Sequence, residues 1–157
     1  MKVPTNVCLP NLRTLHLSYV QIVDGCSFLR LIFGCPVLEG LGLFNCSIDG
    51  TSELNIRSLS LKRLVLDFDT LVGMSTYRGF NDFDHTIVID APSLVYFEYL
   101  CLVAIGYTLN MESLETTDIK IFHYDAADRE RSAALLQGIC NVQVLRLSIT
   151  DFDEPLF

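Results

Sequence analysis

The sequence predicts an α/β fold of the short, irregular leucine-rich repeat kind, a solenoid with a curved, mostly parallel sheet and with helices and turns on its convex side. Three observations predict it. Six times the chain writes one apolar cadence: Leu12-x-x-Leu15-x-Leu17, Leu38-x-x-Leu41-x-Leu43, Leu61-x-x-Leu64-x-Leu66, Leu94-x-x-Phe97-x-Tyr99, Leu114-x-x-Thr117-x-Ile119 and Val142-x-x-Leu145-x-Leu147. The cadences start at 12, 38, 61, 94, 114 and 142, so four of the five steps fall within the roughly 20 to 29 residues of such a repeat. Prolines 10, 36 and 92 stand just ahead of the first, second and fourth cadence. Proline fixes its own backbone and biases its predecessor toward extended geometry, which suits a bend into a strand.

Taken in order, the first strand alternates faces, so Leu15 and Leu17 point inward while Thr14, His16 and Ser18 point out of the concave sheet. A helix is expected over Ser27 to Phe33, with Ser27 as its cap, Phe28, Leu31 and Ile32 as its apolar stripe, and Gly34 at its end. The second strand exposes Gly40, Gly42 and Phe44, and the third exposes Arg63, Val65 and Asp67. The long step from 61 to 94 contains Gly73 to His85, which reads as a loop insertion. The fourth strand exposes Tyr96, Glu98 and Leu100; the short step after it leaves room only for a tight return. The fifth exposes Thr116, Asp118 and Lys120. A second helix is expected to start at Asp125 or Asp128 and to run through Ala133, Ala134, Leu135 and Leu136 to Gly138. The last strand exposes Val144, Arg146 and Ser148.

Half of the 157 residues are hydrophobic and 19% are charged, enough apolar mass for a sizeable core. The 19 acidic residues outnumber the 11 basic ones, giving a formal charge of −8. That balance supplies no cationic field for phosphate backbones or anionic lipid, so neither nucleic acid nor membrane is an expected partner. Charges interrupt every apolar run before it could span a bilayer, and the first residues lack a signal-peptide core. A cytoplasmic or nuclear protein is expected. Cys8, Cys26, Cys35, Cys46, Cys101 and Cys140 are scattered in spacing and read as reduced, mostly buried thiols.

No catalytic, cofactor or metal constellation is predicted. His16, His85 and His123 lack a second ligand at metal-binding spacing, and Asp82, Asp84 and His85 do not fit a calcium loop. Ser75 lacks the flanking glycines of a nucleophile turn, while Cys46 occupies the Asn-or-Cys position of the repeat. Gly34, Gly40 and Gly42 do not form a phosphate loop.

The corner phrases resemble the leucine-rich region of plant F-box proteins, particularly those that carry an FBD domain. They are Leu9-Pro10-Asn11-Leu12-Arg13-Thr14-Leu15, Phe33-Gly34-Cys35-Pro36-Val37-Leu38-Glu39 and Asp90-Ala91-Pro92-Ser93-Leu94, with Leu135 to Leu145 as a further match. The resemblance covers nearly the whole chain. It implies a protein-recognition module like the substrate-binding part of an SCF-type ubiquitin ligase, whose Skp adaptor and cullin would be engaged only through an F-box. The chain is expected to be one leucine-rich repeat domain, 1–157, of about six repeats and without a recognisable F-box or FBD domain. Only eight residues precede Leu9 and ten follow Leu147. A fragment, a truncated product acting as decoy or inert, and a small-molecule sensor are the other readings. The protein-binding residues expected on the concave face are Phe44, Arg63, Tyr96 and Arg146. Repeat arrays present raw apolar edges where no cap covers them, so concentration-dependent association is also expected.

Overall fold

Short apolar runs of period two become strands when one face can be buried. The computed structural model describes residues 4, 6–48, 52–68, 85–123 and 126–151. Along them run β1 (Thr14–Ser18), β2 (Gln21–Ile22), α1 (Gly25–Phe33), β3 (Gly40–Phe44), β4 (Ser47–Ile48) and β5 (Glu53–Arg57). They are followed by β6 (Arg63–Asp67), β7 (Thr86–Asp90), β8 (Tyr96–Leu102), β9 (Gly106–Asn110), β10 (Thr116–His123), α2 (Ala126–Gly138) and β11 (Val144–Asp151).

The main sheet has the order β1-β3-β6-β8-β10-β11, and every pairing in it is parallel. All six cadences lead into its strands, in a register that lines up their apolar positions. Leu15, Leu41, Leu64, Phe97, Thr117 and Leu145 form one row; Leu17, Leu43, Leu66, Tyr99, Ile119 and Leu147 form the next. From Leu41 to Ile119 both rows are buried. Thr117 sits in the apolar row because its hydroxyl donates to the Phe97 carbonyl at 2.8 Å, so the buried polar group has a partner.

The prolines do mark corners. Leu12, Leu38 and Leu94 each donate a backbone hydrogen bond to the carbonyl three residues back, at Leu9, Cys35 and Ala91, with proline at the second position of the turn. Leu114 to Met111 and Val142 to Ile139 repeat the bond without proline. From the second repeat on, two successive amides ahead of each main-sheet strand converge on one carbonyl of the preceding strand's approach, as Glu39 and Gly40 do on Arg13. This fixes the stagger of one repeat on the next.

The return side differs from expectation. It holds a second parallel sheet, β5-β7-β9, and a small pair, β2-β4, besides the two helices. Leu54 and Ile56, Ile87 and Ile89, Tyr107 and Leu109 stand in register across the second sheet and pack into the same core as the main sheet. α1 packs beside β5, and α2 packs beside β9 and β10. The tight return after the fourth cadence is β9. Residues 73–84 of the expected insertion lie outside the described residues, and its last residue, His85, leads into β7.

Both helices need correction at their ends. α1 begins at Gly25 and its cap is Asp24, whose carboxylate accepts from the Cys26 amide at 2.9 Å and from the Ser27 hydroxyl at 2.8 Å. Ser27 is buried in the first turn instead of capping it. Gly34 has a right-handed φ of −71°, so it is not a left-handed cap. Its role is close approach, since a Cβ there would lie 2.6 Å from the Val7 carbonyl oxygen. α2 starts at Ala126, with Asp128 buried in its first turn; Asp125 lies outside the described residues. The thiols are free, but Cys8, Cys26 and Cys140 are exposed, against the expectation of mostly buried ones.

Candidate interaction surface

Alternation along parallel strands in register converts the sequence into rows on the face turned away from the core. The first row is Thr14, Gly40, Arg63, Tyr96, Thr116 and Val144. The second is His16, Gly42, Val65, Glu98, Asp118 and Arg146. The third is Ser18, Phe44, Asp67, Leu100, Lys120 and Ser148.

Two of the four residues expected to bind are brought together. Arg63 and Tyr96 are register partners, and the guanidinium lies 4.0 Å from the centre of the tyrosine ring. The Tyr96 hydroxyl donates to Glu98 at 2.8 Å, and Glu98 lies 4.0 Å from Arg63. Burial, then the Glu98 hydrogen bond and charge, push the Tyr96 phenol above its ordinary value, so it stays protonated and donating at neutral pH. The Arg63 side chain keeps 58% of its surface exposed, leaving guanidinium donors available beyond the stack. Glu98, the hinge of this cluster, was legible as an outward position but not as the group that joins the other two.

Phe44 and Arg146 stand apart from that pair. Phe44 turns back along its own strand: a Cβ on Gly42 would lie 2.5 Å from its ring, and the ring meets His16 edge-on at 5.6 Å. The glycine therefore leaves a slot that Phe44 fills. Gly42 and Val65, both expected to be exposed, are buried, so the middle of the second row is closed over. Arg146 lies on β11 at the margin of the sheet, in the row of Asp118 and Glu98, and is exposed. The outward positions expected on this strand stopped at Lys120, two residues short of a further contact, Lys120 lying 5.5 Å from the centre of the Phe122 ring.

Charges on this face alternate instead of pooling. Arg63, Lys120 and Arg146 are interspersed with Asp67, Glu98 and Asp118. At the sheet's entry edge, Glu39 bridges Arg13 and Lys62, each at 3.1 Å, and the Lys62 ammonium, then Arg13, holds its carboxyl below the usual range.

Cys46 is buried and its thiol donates to the Leu17 carbonyl at 3.4 Å; burial pushes its pKa up, the opposite of nucleophile activation. Ser75, Asp82 and Asp84 lie outside the described residues. Among the described residues no group of three or more His, Cys, Asp or Glu could hold a metal ion, and no helix is long and apolar enough to cross a membrane. On the return side a cleft of about 510 Å³ opens between the end of α1 and the β5–β6 turn, lined by Phe33, Pro36, Arg57, Leu59 and Asp90 among others.

A family model described as the LRR repeats of the FBD-associated F-box protein At5g56370 matches residues 1–126. The F-box/LRR-repeat protein At3g59210 of Arabidopsis thaliana is 36% identical over 91% of this chain and 31% of its own length. The putative F-box/FBD/LRR-repeat protein At3g59240 of the same plant is 36% identical over 90% of this chain and 28% of its own. The F-box protein At3g62430, also from Arabidopsis thaliana, is 34% identical over 94% of this chain and 34% of its own. The chain thus spans about a third of the length of these relatives. No solved structure matches it. Parallel register, cadence and corner turns agree with the comparisons, and the chain belongs to the family of F-box/FBD/LRR-repeat proteins through its leucine-rich repeat region.

Proposed function

We propose that the outer face of the main sheet is a protein-recognition surface and that the chain is the target-binding part of an F-box-type ubiquitin ligase component. The Skp adaptor and cullin would be held by an F-box in the full-length protein, in the cytoplasm or nucleus. The observation that carries this reading is the Arg63–Tyr96–Glu98 cluster at the centre of an otherwise regular parallel sheet. Arginine and tyrosine are the side chains that most often anchor interfaces. Here each is oriented before a partner arrives, which spares roughly 0.5–1.5 kcal/mol of ordering cost per side chain. The alternating charges give specificity by register more than by bulk attraction. The F-box and LRR-repeat names of the relatives support the ligase part of the reading.

The test is capture of binding proteins from plant extract by the chain and by its Arg63→Ala, Tyr96→Ala and Arg146→Ala variants. Affinity for a captured target should fall about tenfold or more for Arg63→Ala and Tyr96→Ala, as interface anchors do. Arg63→Lys should fall nearly as far, because an ammonium lacks the planar fork. Unchanged capture by folded variants removes this face as the site.

A further inference from the structure

Leu59, Tyr19 and Phe33 are the three most exposed large hydrophobic residues among those described, at 80%, 76% and 65%. Single apolar side chains in water need no explanation. Leu59 and Phe33 are not single: they line one cleft of about 510 Å³ together with Pro36, Arg57 and Asp90. That volume falls within the roughly 300–1,000 Å³ of ligand-holding clefts. The walls are α1 of the first repeat, the β5–β6 turn of the second and the end of β7 in the third. The cleft therefore lies between repeats and not at either end of the sequence.

The two charges of the cleft are unequally met. Asp90 accepts from the side-chain amide of Asn110, its register neighbour on β9, at 2.8 Å. Arg57 uses only its Nε, which donates to the Asn55 side-chain carbonyl at 2.9 Å, and Asn55 in turn donates to Glu53 at 2.7 Å. These two bonds along β5 hold the guanidinium in place and leave both Nη groups without a partner among the described residues. Arg57 and Asp90 are themselves neighbours in register, yet no ion pair joins them. The unmet charge is thus positive, and the unused side of an arginine fork matches a carboxylate.

We infer that this cleft is a second recognition site, on the return side, for a short segment of a partner protein that carries a bulky apolar side chain beside a carboxylate. Phe33, Pro36 and Leu59 cover the apolar side chain, and the carboxylate meets the Nη donors of Arg57. Apolar burial supplies affinity, and the charge-assisted bond selects the acidic neighbour. A free small molecule is the poorer occupant. With Leu59 and Phe33 mostly in water the cleft wraps only part of a ligand, whereas small-molecule sites enclose about 70–90% of one. A second copy is disfavoured by charge, since each chain carries −8. The site does not depend on the Arg63–Tyr96–Glu98 cluster, which belongs to the main sheet.

The experiment uses the 157-residue chain and fluorescein-labelled octapeptides of glycine and serine, each with one leucine or phenylalanine and one aspartate at varied spacing, read by fluorescence polarisation. At least one spacing should bind and saturate. Exchanging its aspartate for asparagine should weaken binding about tenfold, and exchanging it for lysine should abolish binding. Arg57→Gln and Leu59→Ser change exposed side chains, so both should keep the circular dichroism of the parent while binding about tenfold more weakly. Arg63→Ala, on the main sheet, should bind the peptide unchanged. No binding at any spacing overturns the inference, as does a lysine peptide that binds equally well, undiminished binding by Leu59→Ser or Arg57→Gln, or binding lost in Arg63→Ala. Displacement by octanoate at the peptide's own concentration would give the cleft to free acids, and dimerisation in light scattering that Leu59→Ser removes would give it to a second copy; either result also overturns it.

Discussion

Tyr19 follows β1 with φ of 55°, in the left-handed region, and the equivalent residue after β3, Asn45, has φ of 51°. The two positions correspond, since the amides of Tyr19 and Asn45 donate to the last carbonyls of the next strands, at Phe44 and Asp67. Asparagine tolerates this geometry and tyrosine does not. The Tyr19 side chain is 76% exposed and contributes little packing. Tyr19→Asn should stabilise the chain by about 1 kcal/mol in urea unfolding. Gly42 is the converse case, where a missing side chain lets another lie down. Gly42→Ala should lift Phe44 off the strand, cost about 1 kcal/mol and remove the ring-current shift that Phe44 imposes on His16 in proton spectra. Outward position was legible from alternation for both Phe44 and Val65. That Phe44 folds along its strand was not, because side-chain direction depends on the vacancy two residues away.

At the scale of elements, α1 shows what an amphipathic stripe tells and what it omits. Phe28, Leu31 and Ile32 located the buried face, yet the helix starts two residues earlier because Asp24 is the better acceptor for the first-turn donors. The Ser27 hydroxyl and the Cys26 amide hold the Asp24 carboxyl below its ordinary value. A depressed folded value means the contribution is present above the unfolded value and is lost as pH falls through the folded one. Thermal unfolding followed from pH 5 to pH 2 should therefore drop less steeply for Asp24→Asn, which keeps a capping oxygen without titrating. The β5-β7-β9 sheet was equally present as alternation, in Leu54-x-Ile56, Ile87-x-Ile89 and Tyr107-x-Leu109. Runs so short carry a weak signal alone. They become strands because the corner turns of the main sheet bring them side by side in register.

For the whole molecule, one core runs between the two layers, from Ile22 and Phe28 to Leu135 and Ile139. Cys35, Cys46 and Cys101 are part of it, and burial raises the thiol values of Cys35 and Cys46. Maleimide should label three thiols of the native chain quickly, at Cys8, Cys26 and Cys140, and the other three only on unfolding; fast labelling of Cys46 would place β4 elsewhere. By itself the sequence determined the solenoid class, the six strands of the main sheet, the corner turns and the face each strand residue takes. These follow from a period-two pattern that every repeat restates and from local turn chemistry at the proline corners. Tertiary structure alone decided the second sheet, the joining of Arg63, Tyr96 and Glu98 and the filling of the Gly42 slot. Each of those depends on which strand lies beside which, and such neighbours are set by packing across repeats and not by residues near in the chain.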